Sequence, residues 1–299
     1  MSITQPVVTV IIVTYNSIKH INAALAALFF SYSSGYLKCI VVDNASRDGT
    51  ADFIASSHPW VNIIRSESNL GFGRGCNLGY QQVSTPYILI HNPDAVIESD
   101  SLKILELFLN THKNAGIVGP AIIENENIIQ AAGLMVTPIS QFYSLLGFSN
   151  AFSQKKIIFP YNLPFQTSWV CGAMMFIRSD LYCQLGGFDP RFFLYFEETD
   201  FCRRATQKGY EIWAVGQAIA HHIGGESAKS TEKTMESSCI TEHFNQSRFY
   251  YFVKHYGWFI GIGTELLIGI LQYIRFFYHI LFKINISFLQ FPALPRDTK

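Results

Sequence analysis

Asn92-Pro93-Asp94 ends an apolar run with an amide and a carboxylate one residue apart. Asp94 offers the hard oxygen that Mg2+ and Mn2+ prefer, and an Asx-Pro turn closing a strand uses the same residues. Asp43-Asn44 closes an earlier apolar run, and Asp43 can accept hydrogen bonds from a nucleobase or a ribose. Just beyond it, Asp48-Gly49 reads as a turn and Thr50 as a helix N-cap. An EF-hand loop is excluded there, because Ala45 and Arg47 stand where oxygen ligands are required. Asn69 to Asn77 is glycine-rich and precedes a helix, so its amides and Arg74 can approach a phosphate. Its glycines follow GxGxG and not the dinucleotide spacing GxGxxG.

A second chemical cluster comes later. Glu197-Glu198-Thr199-Asp200 follows the aromatic run Phe192 to Phe196 and precedes Arg203-Arg204. One of these carboxylates can act as a general base behind aromatic walls. Acids also favour the first turn of a helix for purely electrostatic reasons. His221-His222, next to Gly224-Gly225, offers an imidazole ligand, and residue type alone leaves open which of the two it is.

These groups must be positioned by a scaffold, and the apolar periodicity describes one. Val7 to Thr14, Lys38 to Val42, Val61 to Arg65 and Tyr87 to His91 read as strands buried on both faces of a parallel sheet. Helices are predicted between them at Ile18 to Phe30, Thr50 to Ser56 and Gly75 to Gln82. Strand alternating with helix defines an α/β doubly wound class, whose ligands sit outside the carboxyl ends of the strands. Tyr15-Asn16, Asp43-Asn44 and Asn92 with Asp94 all fall at such ends. Further on, a helix is predicted at Ser101 to Asn110, with short strands near Ile117 and at Ala173 to Ile177.

From Trp258 to Leu289 the polar residues Glu265, Gln272, Arg275, His279 and Lys283 keep to one narrow helical stripe in otherwise apolar sequence. The pattern suits an in-plane membrane helix, and equally a helix packed on its own domain or in a dimer. It has no uncharged run of the roughly 18 residues a spanning helix needs. Hydrophobic residues make up 49% of the 299, charged residues only 15%, which leaves apolar surface for lipid or a partner. The formal net charge of zero gives no footprint for nucleic acid. Six scattered cysteines without a CxxC pair argue against a disulfide framework or a zinc site and for a reducing compartment. The start Met-Ser-Ile-Thr-Gln-Pro lacks a basic segment followed by an apolar one, so the expected location is the cytoplasm.

The ordered segments VIIVTYNS (Val10 to Ser17), VVDNASRDGT (Val41 to Thr50), NLGFGRGCNLGY (Asn69 to Tyr80) and LIHNPDAVI (Leu89 to Ile97) resemble the inverting glycosyltransferases of family 2, especially their rhamnosyltransferase-like branch. GGFDPRFFLYFEETDFCRRATQKGY (Gly186 to Tyr210), HHIGGES (His221 to Ser227) and NQSRFYYFVKHYG (Asn245 to Gly257) continue the series in the family's order. The resemblance implies the GT-A fold over residues 1–230, with a helical region over 231–299. It implies that Tyr15 and Asp43 hold base and ribose, and that Asn92 and Asp94 serve the metal and diphosphate, written NPD where DxD is commoner. It implies Glu198 as the base and His222 as the histidine that helps hold diphosphate or metal. The expected nucleotide-sugar contacts are Thr14, Tyr15, Asn16, Asp43, Asn44, Arg74, Asn77 and Asn92. The expected catalytic group is Glu198 with Glu197 and Asp200, and the expected ligands of Mg2+ or Mn2+ are Asp94 and His222. The acidic pair is Glu-Glu where the family more often has Glu-Asp. The implied donor is dTDP-rhamnose or a UDP-sugar, and the implied acceptor a lipid-linked saccharide at the inner face of the cytoplasmic membrane. A nucleotidyltransferase and a catalytically idle nucleotide-sugar-binding protein are the rival expectations.

Overall fold

A computed structural model describes residues 5–124, 127–145, 155–222 and 237–282. Its N-terminal half is β1 (Val8–Thr14), α1 (Ile21–Ser33), β2 (Leu37–Asp43), α2 (Thr50–Ser57), β3 (Asn62–Arg65), α3 (Phe72–Tyr80) and β4 (Tyr87–His91). β1 pairs in parallel with β2 and with β4, and β2 with β3. Every residue of β1 and β4 is buried. The continuous apolar runs are therefore the signature of strands covered on both faces.

Then come β5 (Ala95–Ile97), α4 (Ser101–Thr111), β6 (Ala115–Glu124), β7 (Asn127–Gly133), α5 (Pro138–Leu145), β8 (Lys155–Ile157), β9 (Phe165–Thr167) and β10 (Trp169–Val170). β11 (Met174–Arg178), α6 (Ser179–Gln184), α7 (Glu197–Gln207), β12 (Glu211–His222), α8 (Ser237–Tyr256) and α9 (Trp258–Phe282) complete the described chain. The strand order is β10-β7-β6-β11-β4-β1-β2-β3. β11 runs antiparallel between β4 and β6. β12 lies parallel to β6 and antiparallel to the short β5. A parallel half is thus joined to a mixed half across β4 and β11, more elaborate than the plain doubly wound sheet read from the sequence.

Local differences have local causes. α1 starts at Ile21, not Ile18, because the amide of His20 bonds the Ser17 carbonyl and that of Ile18 bonds Asp48 Oδ2. Thr50 is not an N-cap. It is the first residue of α2, and Asp48 Oδ1 accepts from both its amide and its hydroxyl. The glycine-rich segment is not a loop: α3 begins at Phe72, and the Phe72 amide is committed to the Phe193 carbonyl. Its glycines serve packing. A Cβ at Gly75 would stand 2.7 Å from Val13 Cγ1, and one at Gly79 2.8 Å from Ile11 Cγ2, so α3 lies directly on β1.

α8 and α9 form an antiparallel pair turned at Gly257, whose φ is 88°. Arg248 makes a bidentate ion pair with Glu265 at 2.8 and 2.6 Å, so the first polar residue of the predicted stripe faces α8 and not water. The outward face is apolar: Trp258, Phe259, Ile262, Leu266, Ile270 and Tyr273 are exposed, Phe259 at 93%. The domain boundary expected at residue 230, residues 223–227, Lys283 and the stretch to Leu289 lie outside the described residues, as do the side chains of Arg275 and His279.

If α3 seats on β1 through its bare glycines, Gly75→Ala destabilises the protein by about 1–3 kcal/mol through overpacking. Urea denaturation reads this, and a loss under about 0.5 kcal/mol would mean that Val13 yields freely.

Candidate active site

The tips of β1, β2 and β4 lie side by side. Thr14 is in register with Asp43, and its hydroxyl donates to Asp43 Oδ1 at 3.2 Å. The Ser46 amide donates to Asp43 Oδ2 at 3.2 Å, which leaves further lone pairs on this nearly buried carboxylate. Tyr15 and Asn16 follow on the same tip, partly exposed. On the other side of β1, two strand spacings or about 10 Å from β2, β4 leads into Asn92-Pro93-Asp94.

Asp94 is 2% exposed, and its Oδ1 faces His222 Nε2 at 3.2 Å. The pair is made by β5 and β12, where His222 stands opposite Ala95. Strand alternation also decides between the two histidines. His221 points elsewhere and pairs with Glu98 at 3.0 Å. Among the described residues no cluster of three or more His, Cys, Asp or Glu side chains could hold a metal. One carboxylate and one imidazole still suit a cation that takes its remaining ligands from diphosphate and water, which is how Mg2+ is usually held. His91, at the end of β4, is completely buried. Its Nδ1–H donates to the Asn92 carbonyl at 2.7 Å, and Nε2 has no partner. Burial lowers its pKa to about 4, so a neutral ring braces this tip.

Glu198 reaches the same place through β11. The Asn92 amide bonds the Ala173 carbonyl at 2.9 Å, and a Cβ on the neighbouring Gly172 would lie 3.5 Å from Glu198 Cβ. Asp94 and Glu198 therefore flank one strand tip, 104 positions apart in sequence. Burial raises the Glu198 carboxyl above the ordinary glutamate range, against the amides of Glu198 and Thr199 that pull it down. Glu197 is buried behind it against Gly73, with Oε2 unpartnered. Burial and then the Glu198 charge push its carboxyl well up. Tyr195 and Phe196, just before the pair, have φ of 69° and 67°. Of the five described non-glycine residues with positive φ, these two directly precede Glu197-Glu198, and Asn16 and Ala45 follow the ends of β1 and β2. Backbone strain held by its surroundings marks functional sites in this way.

Other expected contacts are engaged within the chain. Asn44 brackets the glycine segment, donating to the Gly71 carbonyl and accepting from the Leu70 amide. Asn77 accepts from Tyr182 and Phe188 and donates to the Phe188 carbonyl. Asn16 Oδ1 accepts from the Arg47 amide. Arg74 is exposed, with Nε donating to the Pro190 carbonyl at 2.6 Å. Asp200 is wholly buried: Oδ2 takes Arg204 at 2.7 Å, and Oδ1 takes His255 at 2.7 Å and Lys254 at 2.5 Å. Burial alone would raise its carboxyl, but the hydrogen bond from His255 and the charges of Arg204 and Lys254 outweigh it and hold it below the usual range. Sequence reasoning assigned no role to His91, Gly172, Asp189, Lys254 or His255. His91 had a signal, a lone histidine inside an apolar strand.

A sheet with a parallel half and a mixed half, carrying acidic groups on its strand tips, is the GT-A architecture of enzymes that handle nucleoside-diphospho sugars. Residues 9–180 match glycosyl transferase family 2, and the chain belongs to that family; it is a glycosyltransferase. It is 24% identical over 273 residues to N-acetylglucosaminyl-diphospho-decaprenol L-rhamnosyltransferase of Mycobacterium tuberculosis, covering 84% of this chain and 86% of the relative. It is 23% identical over 225 residues to dTDP-rhamnosyl transferase RfbF of Shigella flexneri, covering 73% and 70%. In fold it is similar to the mannosyltransferase PcManGT of Pyrobaculum calidifontis, solved with GDP-Man and Mn2+, at a TM-score of 0.55 and 15% identity over 94% of this chain and 81% of that one. Family membership removes the nucleotidyltransferase alternative.

The Asp200 cluster has a consequence for stability. The folded pKa lies below the unfolded one, so its contribution is complete above the unfolded value near 3.8 and is lost as the pH falls through the folded value. Asp200→Asn should cost about 3–5 kcal/mol at pH 7 by leaving buried cations short of a partner. Melting curves should show the gap from the parent narrowing below about pH 4. A gap that stays constant with pH would mean Asp200 contributes no charge interaction.

Proposed function

We propose that this glycosyltransferase moves a rhamnosyl group from dTDP-rhamnose to a hydroxyl of a lipid-linked saccharide, in polysaccharide biosynthesis. The names of the Mycobacterium tuberculosis and Shigella flexneri relatives support the donor, and the first of them the acceptor. The observation that supports the mechanism is the chain of contacts from the end of β4 to α7: the Asn92 amide bonds the Ala173 carbonyl, and the neighbouring Gly172 packs against Glu198, whose carboxyl is raised by burial.

In this reading Tyr15 and Asp43 bind the nucleoside, and Asp94 and His222 hold Mg2+ or Mn2+. A divalent cation there supplies charge neutralisation to the departing diphosphate. Glu198 takes the proton of the acceptor hydroxyl as its oxygen bonds the anomeric carbon, while the bond from that carbon to the phosphate oxygen breaks. One displacement inverts the anomeric centre and releases the nucleoside diphosphate. Burial, and then the charge of Glu198, pushes the Glu197 carboxyl well above the ordinary glutamate range.

The outward apolar face of α9 supports a lipid surface as the working location, at the inner face of the cytoplasmic membrane. No helix among the described residues is long and apolar enough to cross a membrane. A groove of about 560 Å3 between α5 and α9, lined by Ile139, Phe142, Ile260 and Leu267 among others, adds to that apolar surface.

Glu198→Gln should lower kcat for transfer to a synthetic prenyl-diphospho-N-acetylglucosamine by about 10²- to 10⁴-fold, with nucleotide binding within about twofold. In the parent, kcat/KM should rise with pH along a limb lying above the ordinary glutamate value of 4.5, because only the ionised base accepts a proton. Parent-level turnover by the variant would take Glu198 out of this role. For the location, the full chain should float with anionic liposomes, and a Phe259→Asp, Leu266→Asp double variant should remain at the bottom of the gradient. A parent that does not float excludes the lipid contact.

A further inference from the structure

The segment Asn245 to Gly257 has no part in the chemistry above, yet near its end Lys254 and His255 turn inward onto carboxylates. Lys254 Nζ lies 2.7 Å from Asp189 Oδ2 and 2.5 Å from Asp200 Oδ1, and His255 Nε2 lies 2.7 Å from Asp200 Oδ1. Both side chains are largely buried. The carboxylates they join belong to different parts of the crevice. Asp200 sits in the first turn of α7, two residues after Glu198. Asp189 sits in the segment between α6 and α7, whose Pro190 carbonyl accepts from Arg74 and whose Phe193 carbonyl accepts from the Phe72 amide of α3.

We propose that Lys254 and His255 are positioning residues for catalysis: Lys254 ties the helix bearing Glu198 to the segment at Asp189, His255 holds the same helix to α8 through Asp200, and together they set where the base stands. The inference rests on Glu198 being the base. Its physical basis is that Asp200 has no freedom. Both its oxygens are occupied, and Arg204, its partner on the same helix, also donates to the carbonyls of Leu185 and Gly187. Asp189 is equally engaged by Arg191 and by the Tyr250 hydroxyl of α8. Among the described residues, Lys254 is the side chain that touches both carboxylates. Removing its charge leaves each helix folded but frees α7 to shift on α8. A reacting group displaced by about 1 Å loses up to about a hundredfold in rate.

Two readouts separate this role from mere stabilisation. In Lys254→Met, amides of residues 197–207 and 186–192 should exchange with deuterium faster, while those of β1 and β4 stay protected. With dTDP-rhamnose and the synthetic prenyl acceptor, kcat should fall about tenfold or more and the donor KM stay within about twofold. Phe252→Leu, which thins the core of α8 without touching either carboxylate, should lower the melting temperature and leave kcat within about twofold. His255→Gln keeps a side-chain N–H for Asp200 and should retain most of kcat; His255→Leu should not. That pair carries the test if the Lys254 variant fails to fold. Unchanged kcat in Lys254→Met, equal losses in the two His255 variants, or an equal loss in Phe252→Leu would overturn the proposal. Absence of transfer by the parent would instead count against the donor and acceptor assignment, and the exchange experiment would still judge the clamp.

Discussion

The antiparallel pairing of β11 with β4 is the contact on which the site depends. It lays Gly172 and Ala173 along the end of β4, so that the Asn92 amide bonds the Ala173 carbonyl. Gly172 then lies against the N-terminus of α7, where a Cβ would meet Glu198 Cβ at 3.5 Å, an ordinary packing distance. β12 adds the other half, because its pairing with β5 carries His222 to Asp94. Without these two long-range pairings the carboxylates would be scattered along the chain with no common purpose.

Holding several carboxylates near one crevice is electrostatically costly, and the protein treats them differently according to role. Asp189 and Asp200, which do structural work, are given Arg191, Arg204, Lys254 and His255 and are kept ionised. Glu197 and Glu198 are denied such partners, and burial raises both. Environments that drive the pKa values of neighbouring acids apart are how one fold separates a base from its supports. The positive φ values at Tyr195 and Phe196 belong to the same design, since they aim the first turn of α7 into the crevice at a backbone cost that the packing around Phe196 absorbs.

Much of this was legible in the residue order, for reasons that differ by element. The β-branched runs of β1, β2 and β4 are local signals of strands covered on both faces, and they located the tips that carry Asp43 and Asp94. The motif series identified the family before any geometry was known. What stayed hidden is what depends on partners far away in sequence. The glycines of α3 suggested a phosphate loop, because nothing local reveals that Val13 and Ile11 will lie against them. Residue type alone did not separate His221 from His222; the motif series pointed to His222, and the physical reason, the pairing of β12 with β5, appeared only in the fold. Lys254 and His255 had no role assigned, because the carboxylates that draw them inward lie more than fifty residues earlier.

The account stands or falls on one crevice serving cation, donor and base together. Crystals grown with dTDP-rhamnose and Mn2+ and measured at the manganese edge test it most directly. The account requires an anomalous peak about 2.1 Å from an Asp94 oxygen and close to His222 Nε2, with the sugar's anomeric carbon turned towards the Glu198 carboxylate. A peak at another cluster, or a donor whose anomeric carbon faces away from Glu198, would contradict it.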